Sequence, residues 1–594
     1  MKKIKISSGQ YLSDIMPEIP TNAIIYKTLT GIGATTLEIN TPRNSIIMEP
    51  NVPVIKGKKQ KGMLSIYEGV AIDEVIDYLS GETKHKKLMV TPESFFKIKE
   101  AAELLSIDLY KDYMFLFDES DRIIQDAGFR KKITFPMDDF FKFKSKAFIS
   151  ATALAPSDPR FSENGFATLV IEPDFDYSKP IDLITTNNVY LTLKSLLDNA
   201  ISENYCIFFN STNMIGAYIK KMEIQNESQV YCSRESTYQL RISEIPHVAD
   251  HLKKFRKYNF FTSRFNSAVD IFMDSKPVVI IVTDLNSAMH SMVHPKTESV
   301  QIVGRFRNGV DKIVHITNLN PELKPKSEEE VKGWLSGCEQ TYNDLSALHK
   351  ATTNQGSKDT LAECLTLVTY ANFINADGSK NYFMEDNMFL EEEIKRAYVE
   401  ETSFQQAYKL PHFKSTHISE LYPLSDQKSD KLTSGISMLK VVEAVIESLN
   451  AINDSSLPYT IDNRQTVMND LEKSFPEILE AYRLLGPAEL RKNGYSKKQI
   501  KKAVKLKKEK DQKSSYGFLK SLQSSFEDGV DYPTSELKKL TQSAISIHGL
   551  DLHAHIKLLK EYFELGPRKT LGFDSNKNEI KGYKVVRCKF NRIE

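Results

Sequence analysis

The chain has 594 residues, 41% apolar and 26% charged, with 79 Lys and Arg against 78 Asp and Glu for a net charge of +1. At roughly 100–200 residues per domain, this length accommodates several domains, each with its own core. The charge balance excludes a global polycation, so any contact with nucleic acid has to come from local basic patches.

The N-terminal MKKIKISSGQ has no apolar run behind its lysines and does not read as a signal peptide. No stretch approaches the roughly 18 apolar residues of a membrane span. Residues 1–175 then alternate short apolar runs with helical patterns. Ala23–Lys27 (AIIYK), Ser45–Met48 (SIIM), Leu88–Thr91 (LMVT), Met114–Phe117 (MFLF) and Ala147–Ile149 (AFI) read as buried strands. Strands separated by helices predict a parallel, helix-covered α/β sheet. Pro173–Pro180 (PDFDYSKP) reads as a linker, and the pattern restarts over 180–322. Its strands are Cys206–Phe209, Gln229–Tyr231, Asn259–Thr262, Val278–Val282 and Lys312–Ile316. Pro321–Glu330 reads as a second linker, and 331–490 as a largely helical region carrying no legible chemistry. A basic helix at 491–515 and a small mixed unit at 516–594 close the chain.

Five cysteines, Cys206, Cys232, Cys338, Cys364 and Cys588, are scattered without a C-x-x-C pair, which favours a reducing compartment and leaves no readable zinc site. His553 and His555, with Cys588, read as surface residues rather than metal ligands. The expected location is the cytoplasm.

In the first lobe, the strand AIIYK runs into Thr28-Leu29-Thr30-Gly31-Ile32-Gly33-Ala34-Thr35-Thr36 and then a helix. Strand, glycine-rich turn and helix is the context of a phosphate loop. The glycines let backbone N–H groups approach phosphate oxygens, and the helix N-terminus adds partial positive charge. Phe117-Asp118-Glu119-Ser120-Asp121 ends an apolar strand in adjacent acids, at the edge where an open sheet holds its ligands. One acid can hold a divalent cation and its neighbour can activate water. Further on, a strand runs into Ser150-Ala151-Thr152.

Together these segments resemble the core of superfamily 2 helicases. Thr28–Thr35 resembles motif I, A-x-T-G-x-G-K-T. Asp118–Asp121 (DESD) resembles the DEAD/DExD motif II, and Ser150–Thr152 is motif III. Ser45–Pro53 and Val90–Ser94 look like motifs Ia and Ib, making Thr91 and Ser94 candidate nucleic-acid contacts by resemblance. Gln10 stands where the family has an adenine-reading glutamine. Ile207–Ser211 falls where motif IV does. Phe261-Thr262-Ser263 with Ala268-Val269-Asp270-Ile271 resembles motif V, with Ala268 for a glycine. Gln301–Asn308 (QIVGRFRN) resembles motif VI, Q-x-x-G-R-x-x-R, with Asn308 for the final arginine and Arg307 one place early.

The resemblance implies two tandem RecA-like lobes, 1–175 and 180–322, that close on ATP and Mg²⁺. Thr30, Gly31, Gly33, Ala34, Thr35, Thr36, Gln301, Gly304 and Asp270 would bind nucleotide. Thr35 and Asp118 would hold the metal, Glu119 would activate water, and Arg305 with Arg307 would stabilise the transferred phosphoryl. Thr262 and Ser263 would touch a nucleic-acid backbone. The departure is Ala34, where the family carries a lysine; Lys27 is the candidate substitute.

Residues 491–513 hold 11 Lys and Arg against two acids. Ser496 can cap a helix with Ile500, Ala503 and Val504 on its apolar side, leaving Lys497, Lys498, Lys501 and Lys502 for phosphates. The order helix, helix, two-stranded tail after residue 526 resembles a winged helix. The reading implied is an ATP-dependent helicase or translocase on nucleic acid, DNA in particular, serving bacteriophage or mobile-element replication with replication proteins as partners. In a phage, the expected compartment becomes the host cytoplasm. The alternative is a degenerate, non-hydrolysing nucleic-acid clamp or scaffold.

Overall fold

Runs such as Ser45–Met48, buried at every position, belong in a sheet covered on both faces. The computed structural model describes residues 2–590 apart from 59, 200, 201, 268, 376 and 434–436, so Ala268 of motif V lies outside the described residues. The first lobe contains β1 (Lys2–Ile6), β2 (Ala23–Tyr26), β3 (Ser45–Met48), β4 (Met63–Ile66), β5 (Lys87–Val90), β6 (Met114–Asp118), β7 (Ser145–Ser150) and β8 (Ala167–Pro173). They form one parallel sheet ordered β1-β8-β2-β7-β6-β3-β5-β4. The two-residue period divides each strand between two cores. Ile46, Met48, Phe115 and Phe117 enter one apolar cluster, while Ile47 and Leu116 enter the other.

The second sheet is built from β9 (Lys179–Thr186), β10 (Tyr205–Phe209), β11 (Ser228–Tyr231), β12 (Val248–Ala249), β13 (Tyr258–Phe261), β14 (Val278–Thr283), β15 (Lys312–Thr317) and β16 (Phe413–Glu420). Its order is β12-β11-β13-β10-β14-β15-β9-β16, again parallel throughout.

Two sequence expectations are refined. The proposed linker is shorter than Pro173–Pro180: β8 runs to Pro173 and β9 starts at Lys179, leaving 174–178 as the connection. The region 331–490 is largely helical, as expected, but it also contains β16, which pairs with β9 from Phe413↔Lys179 to Glu420↔Thr186. Only Phe413 of β16 is fully buried, so this edge strand shows no apolar alternation from which to recognise it. The helices before β16 also serve the first lobe: Val331, Leu335, Tyr370, Phe383 and Leu390 join its core. Residues Met1–Leu421 accordingly form one compact unit and Tyr422–Glu594 a second.

The second unit runs through helices Met438–Asn453, Ile461–Ser474 and Pro476–Lys492, the last broken at Gly486, to the basic helix Lys497–Lys513. Phe518, Leu522, Leu537, Ile545, Leu559 and Val585 centre its final core. Helices Tyr516–Ser525, Thr534–Ile547 and Ile556–Tyr562 accompany strands β17 (Asp531–Pro533), β18 (Phe563–Leu565), β19 (Lys569–Phe573) and β20 (Glu579–Cys588). β20 pairs antiparallel with the other three. Among the described residues no helix is long and apolar enough to cross a membrane.

Candidate active site

The loop after β2 turns through backbone that only glycine adopts without strain: Gly31 has φ +73° and Gly33 φ +83°. Gly33 is also the N-cap of the helix Ala34–Asn40, so the free N–H groups of that helix open at the loop. The Ala34 methyl is 4% exposed and belongs to the lobe's apolar cluster, so it supplies no charge. Thr35 is buried and donates its hydroxyl to Asp118 Oδ2.

β6 delivers Asp118 at its C-terminal end, two sheet positions from β2. The next residue, Glu119, is held at φ +48°, a left-handed conformation costly for a residue with a Cβ and of the kind concentrated at functional sites. Asp121 accepts from Ser150 Oγ and Thr152 Oγ1, each at 2.6 Å, which ties motif III to motif II. Burial, reinforced by the Glu119 charge, raises the Asp121 carboxyl above its ordinary range.

Two lysines converge on these acids. Lys27 Nζ lies 3.3 Å from Asp118 and 3.8 Å from Glu119. Lys58, in the turn after the helix Val52–Gly57, places Nζ 2.7 Å from Thr35 Oγ1, 2.8 Å from Glu49 Oε1 and 3.5 Å from Asp118 Oδ2. Burial alone would raise the Asp118 pKa, but Lys27 and Lys58 hold it well below the usual carboxylate range. For Glu49 burial wins over Lys58 and pushes the carboxyl up to about 7.

The second lobe closes the far wall. Gln301 Nε2 donates to Glu119 Oε2 at 2.8 Å, while its Oε1 accepts from Arg305 at 2.6 Å. Arg305, 2% exposed, lies 3.8 Å from Glu119. Thr30 Oγ1 donates to the Gly304 carbonyl at 3.0 Å. The Arg307 guanidinium covers Gly31 so closely that a Cβ there would sit 1.9 Å from it, and its Nε donates to Asp270 at 2.9 Å. Asn308 donates to the Met273 carbonyl instead, leaving Arg307 as the arginine at the loop. A cleft of about 160 Å³ results, lined by Lys27, Gly31, Gly33, Ala34, Thr35, Thr36, Lys58, Asp118, Glu119, Asp270, Arg305 and Arg307.

The two sheets are tandem RecA-like lobes. No known family profile matches the chain, and no curated protein does. Among solved structures, the Mycobacterium smegmatis helicase Lhr bound to ssDNA and AMP-PNP is similar at a TM-score of 0.33 and 13% identity, over 54% of this chain and 46% of Lhr. The chain thus spans less than half the length of Lhr. S. cerevisiae Dbp5 bound to RNA and ADP BeF3 gives 0.33 and 15%, over 50% of this chain and 79% of Dbp5. A DEAD box protein from Methanococcus jannaschii gives 0.26 and 15%, over 50% and 87%.

Other candidates lie outside the RecA-like cleft. Thr91 and Ser94 are buried and hydrogen-bonded to each other, and Thr262 is buried beside the Tyr231 carbonyl. Ser263, half-buried, donates its backbone N–H to Asn210 Oδ1. Arg130, which carries no motif signature in the sequence, joins motif Ia to Ib by donating to the Pro50 carbonyl and to Glu93, each at 2.6 Å. Gln10 accepts from the Ser7 N–H, and its neighbour Tyr11 packs its ring beside Gly33. In the basic helix, Lys497 and Lys501 each sit 3.3 Å from Glu477, whereas Lys498 and Lys502 are exposed with no ion pair among the described residues. Lys58 and Glu49 were missed as well. The only signal was a lysine a few residues beyond motif Ia, and spacing does not show that the helix Val52–Gly57 folds it back over the loop.

Proposed function

We propose that this chain is an ATP-hydrolysing motor that moves along or separates nucleic acid. The observation that supports it most is the reach of Gln301 and Arg305 across the cleft to Glu119, in a site that also gathers Gly31, Gly33, Thr35 and Asp118. A triphosphate would lie on the N–H groups of the glycine loop and the N-terminus of the helix Ala34–Asn40. Thr35 and Asp118, hydroxyl beside carboxylate, form a donor set that fits Mg²⁺, which when bound would neutralise charge on the phosphate oxygens.

Glu119 takes the proton of the attacking water, with Gln301 fixing the rotamer of its carboxylate. Arg305 and Arg307, both from motif VI, offset charge on the departing phosphoryl group. Lys27 offsets the acid pair from the strand side. Because these groups belong to two lobes, nucleotide binding favours the closed arrangement and product release the open one. Alternating closure would step a strand lying along motifs Ia, Ib and V, with the half-buried Ser263 on its path and the buried Thr91, Ser94 and Thr262 shaping the loops beneath it. Lys498 and Lys502 add backbone contacts without sequence choice.

DNA is the track we propose, and the lysine- and isoleucine-rich composition with the altered motif I is the ground for proposing phage or mobile-element replication as the setting. Turnover measured with single-stranded DNA, with RNA and without either, beside Glu119→Gln, tests the reading and separates the tracks. The methyl at position 34 favours a second reading, a clamp that binds nucleotide and nucleic acid without hydrolysis. Binding without turnover would select it.

A further inference from the structure

In P-loop sites one flexible cation ordinarily reaches the outer phosphates, and position 34 provides none. The geometry points to Lys58 as that cation, supplied by the turn after the motif Ia helix and aimed into the cleft by Glu49; this rests on the hydrolysis reading above. Lys58 Nζ is 2.7 Å from the Thr35 hydroxyl and 3.5 Å from Asp118, beside the groups that would hold Mg²⁺. Its side chain is 26% exposed, at the end of a short helix, so it can move toward a phosphate. Lys27 has no such freedom. It is 5% exposed at the end of β2 and shared by both motif II acids, a counterion of the acid pair.

Glu49 supplies the second observation. It is 0% exposed at the end of β3, its Oε1 binds Lys58 at 2.8 Å, and its Oε2 has no hydrogen-bond partner. A buried carboxylate left half-satisfied is costly and calls for a specific partner. The Lys58 ammonium on Oε1 is the one side-chain partner this carboxylate has among the described residues, so Glu49 acts as a positioning residue for Lys58. The same helix carries Val54, 1% exposed and packed in the second lobe's cluster with Phe208, Phe261 and Ile302. Its preceding residues Pro50 and Asn51 accept Arg130, which binds motif Ib. Lobe closure therefore seats the helix, and with it the lysine. The missing charge is restored from an element that also faces the track.

The test uses the full chain with Mg²⁺, measuring turnover and the affinities of a fluorescent ATP analogue and of ADP. Lys58→Ala is expected to lower kcat by about 100-fold, the scale of losing one preorganised charge-stabilising group. ATP-analogue affinity should fall about tenfold while ADP affinity holds. Lys58→Arg retains part of the turnover. Ala34→Lys in the Lys58→Ala background restores it, with thermal melting confirming that both variants fold. Glu49→Gln weakens the triphosphate and leaves the diphosphate unchanged, a discrimination that a merely structural role would not produce. Wild-type turnover in Lys58→Ala overturns the assignment and leaves the hydrolysis reading intact. If the unaltered chain has no turnover, that reading fails instead. Unchanged triphosphate affinity in Lys58→Ala then still overturns the assignment, and a selective loss supports it.

Discussion

Gln301 Nε2 meets Glu119 Oε2 at 2.8 Å across 182 residues of sequence, and through its Oε1 the same amide holds Arg305. One side chain thus sets the base of the first lobe and the arginine of the second. Gln301→Ala is expected to lower stimulated turnover about 10- to 100-fold, the range for a positioned catalytic group. Nucleotide affinity should change little, because the loop and Thr35 are untouched. Steady-state kinetics with kcat and KM resolved check this; a rise in KM at constant kcat contradicts it.

Gly304 faces Thr30 so closely that a Cβ would stand 2.2 Å from its hydroxyl, at the contact between the lobes. Gly304→Ala should hold the lobes apart, abolishing nucleic-acid stimulation while the melting temperature of the chain shifts little. Full stimulation in that variant would mean the contact is not part of the working cycle.

His315 is wholly buried, with Nε2 3.1 Å from Thr283 and Nδ1 2.5 Å from Tyr408, and burial pulls its pKa from 6.5 down to about 3. Burial likewise lowers His294 to about 4. The unfolded chain then binds protons below about pH 6.5 that the folded chain refuses, so the contribution is complete above that pH and is lost on acidification. Stability should decline from about pH 6.5 toward about pH 4 by on the order of a few kcal/mol. His315→Gln should melt lower at neutral pH and show a shallower decline. An unchanged slope in melting temperature against pH contradicts this.

Lys498 and Lys502 are exposed and unpaired among the described residues, whereas Lys497 and Lys501 share Glu477. Reversing the first pair to Glu should weaken binding for every nucleic-acid sequence alike. It should also reduce the slope of log affinity against log salt by about 1 for each phosphate that is no longer neutralised. Reversing the second pair should do less, because Glu477 already offsets those charges. Equal effects contradict the assignment.

Buried strands were legible in advance because both faces are apolar: Ser45–Met48 is found as predicted, and Val278–Val282 is longer by one residue. β1 (KKIKI) and β16 escaped notice because edge strands expose one face and carry lysine, serine and histidine there. The loop, the acids and the motif VI arginines have contiguous signatures, so their meeting at one cleft could be anticipated. Lys58 could not, since it reaches Thr35 only through the packing of the helix Val52–Gly57. Lys27, a strand-end lysine that would ordinarily face water, is drawn inside by two carboxylates.

The most direct test of the account is phosphate release from ATP by the full chain with and without single-stranded nucleic acid, alongside Glu119→Gln. Turnover should rise with the strand and disappear in the variant while nucleotide still binds. Turnover that is absent in both, or identical in both, would contradict it.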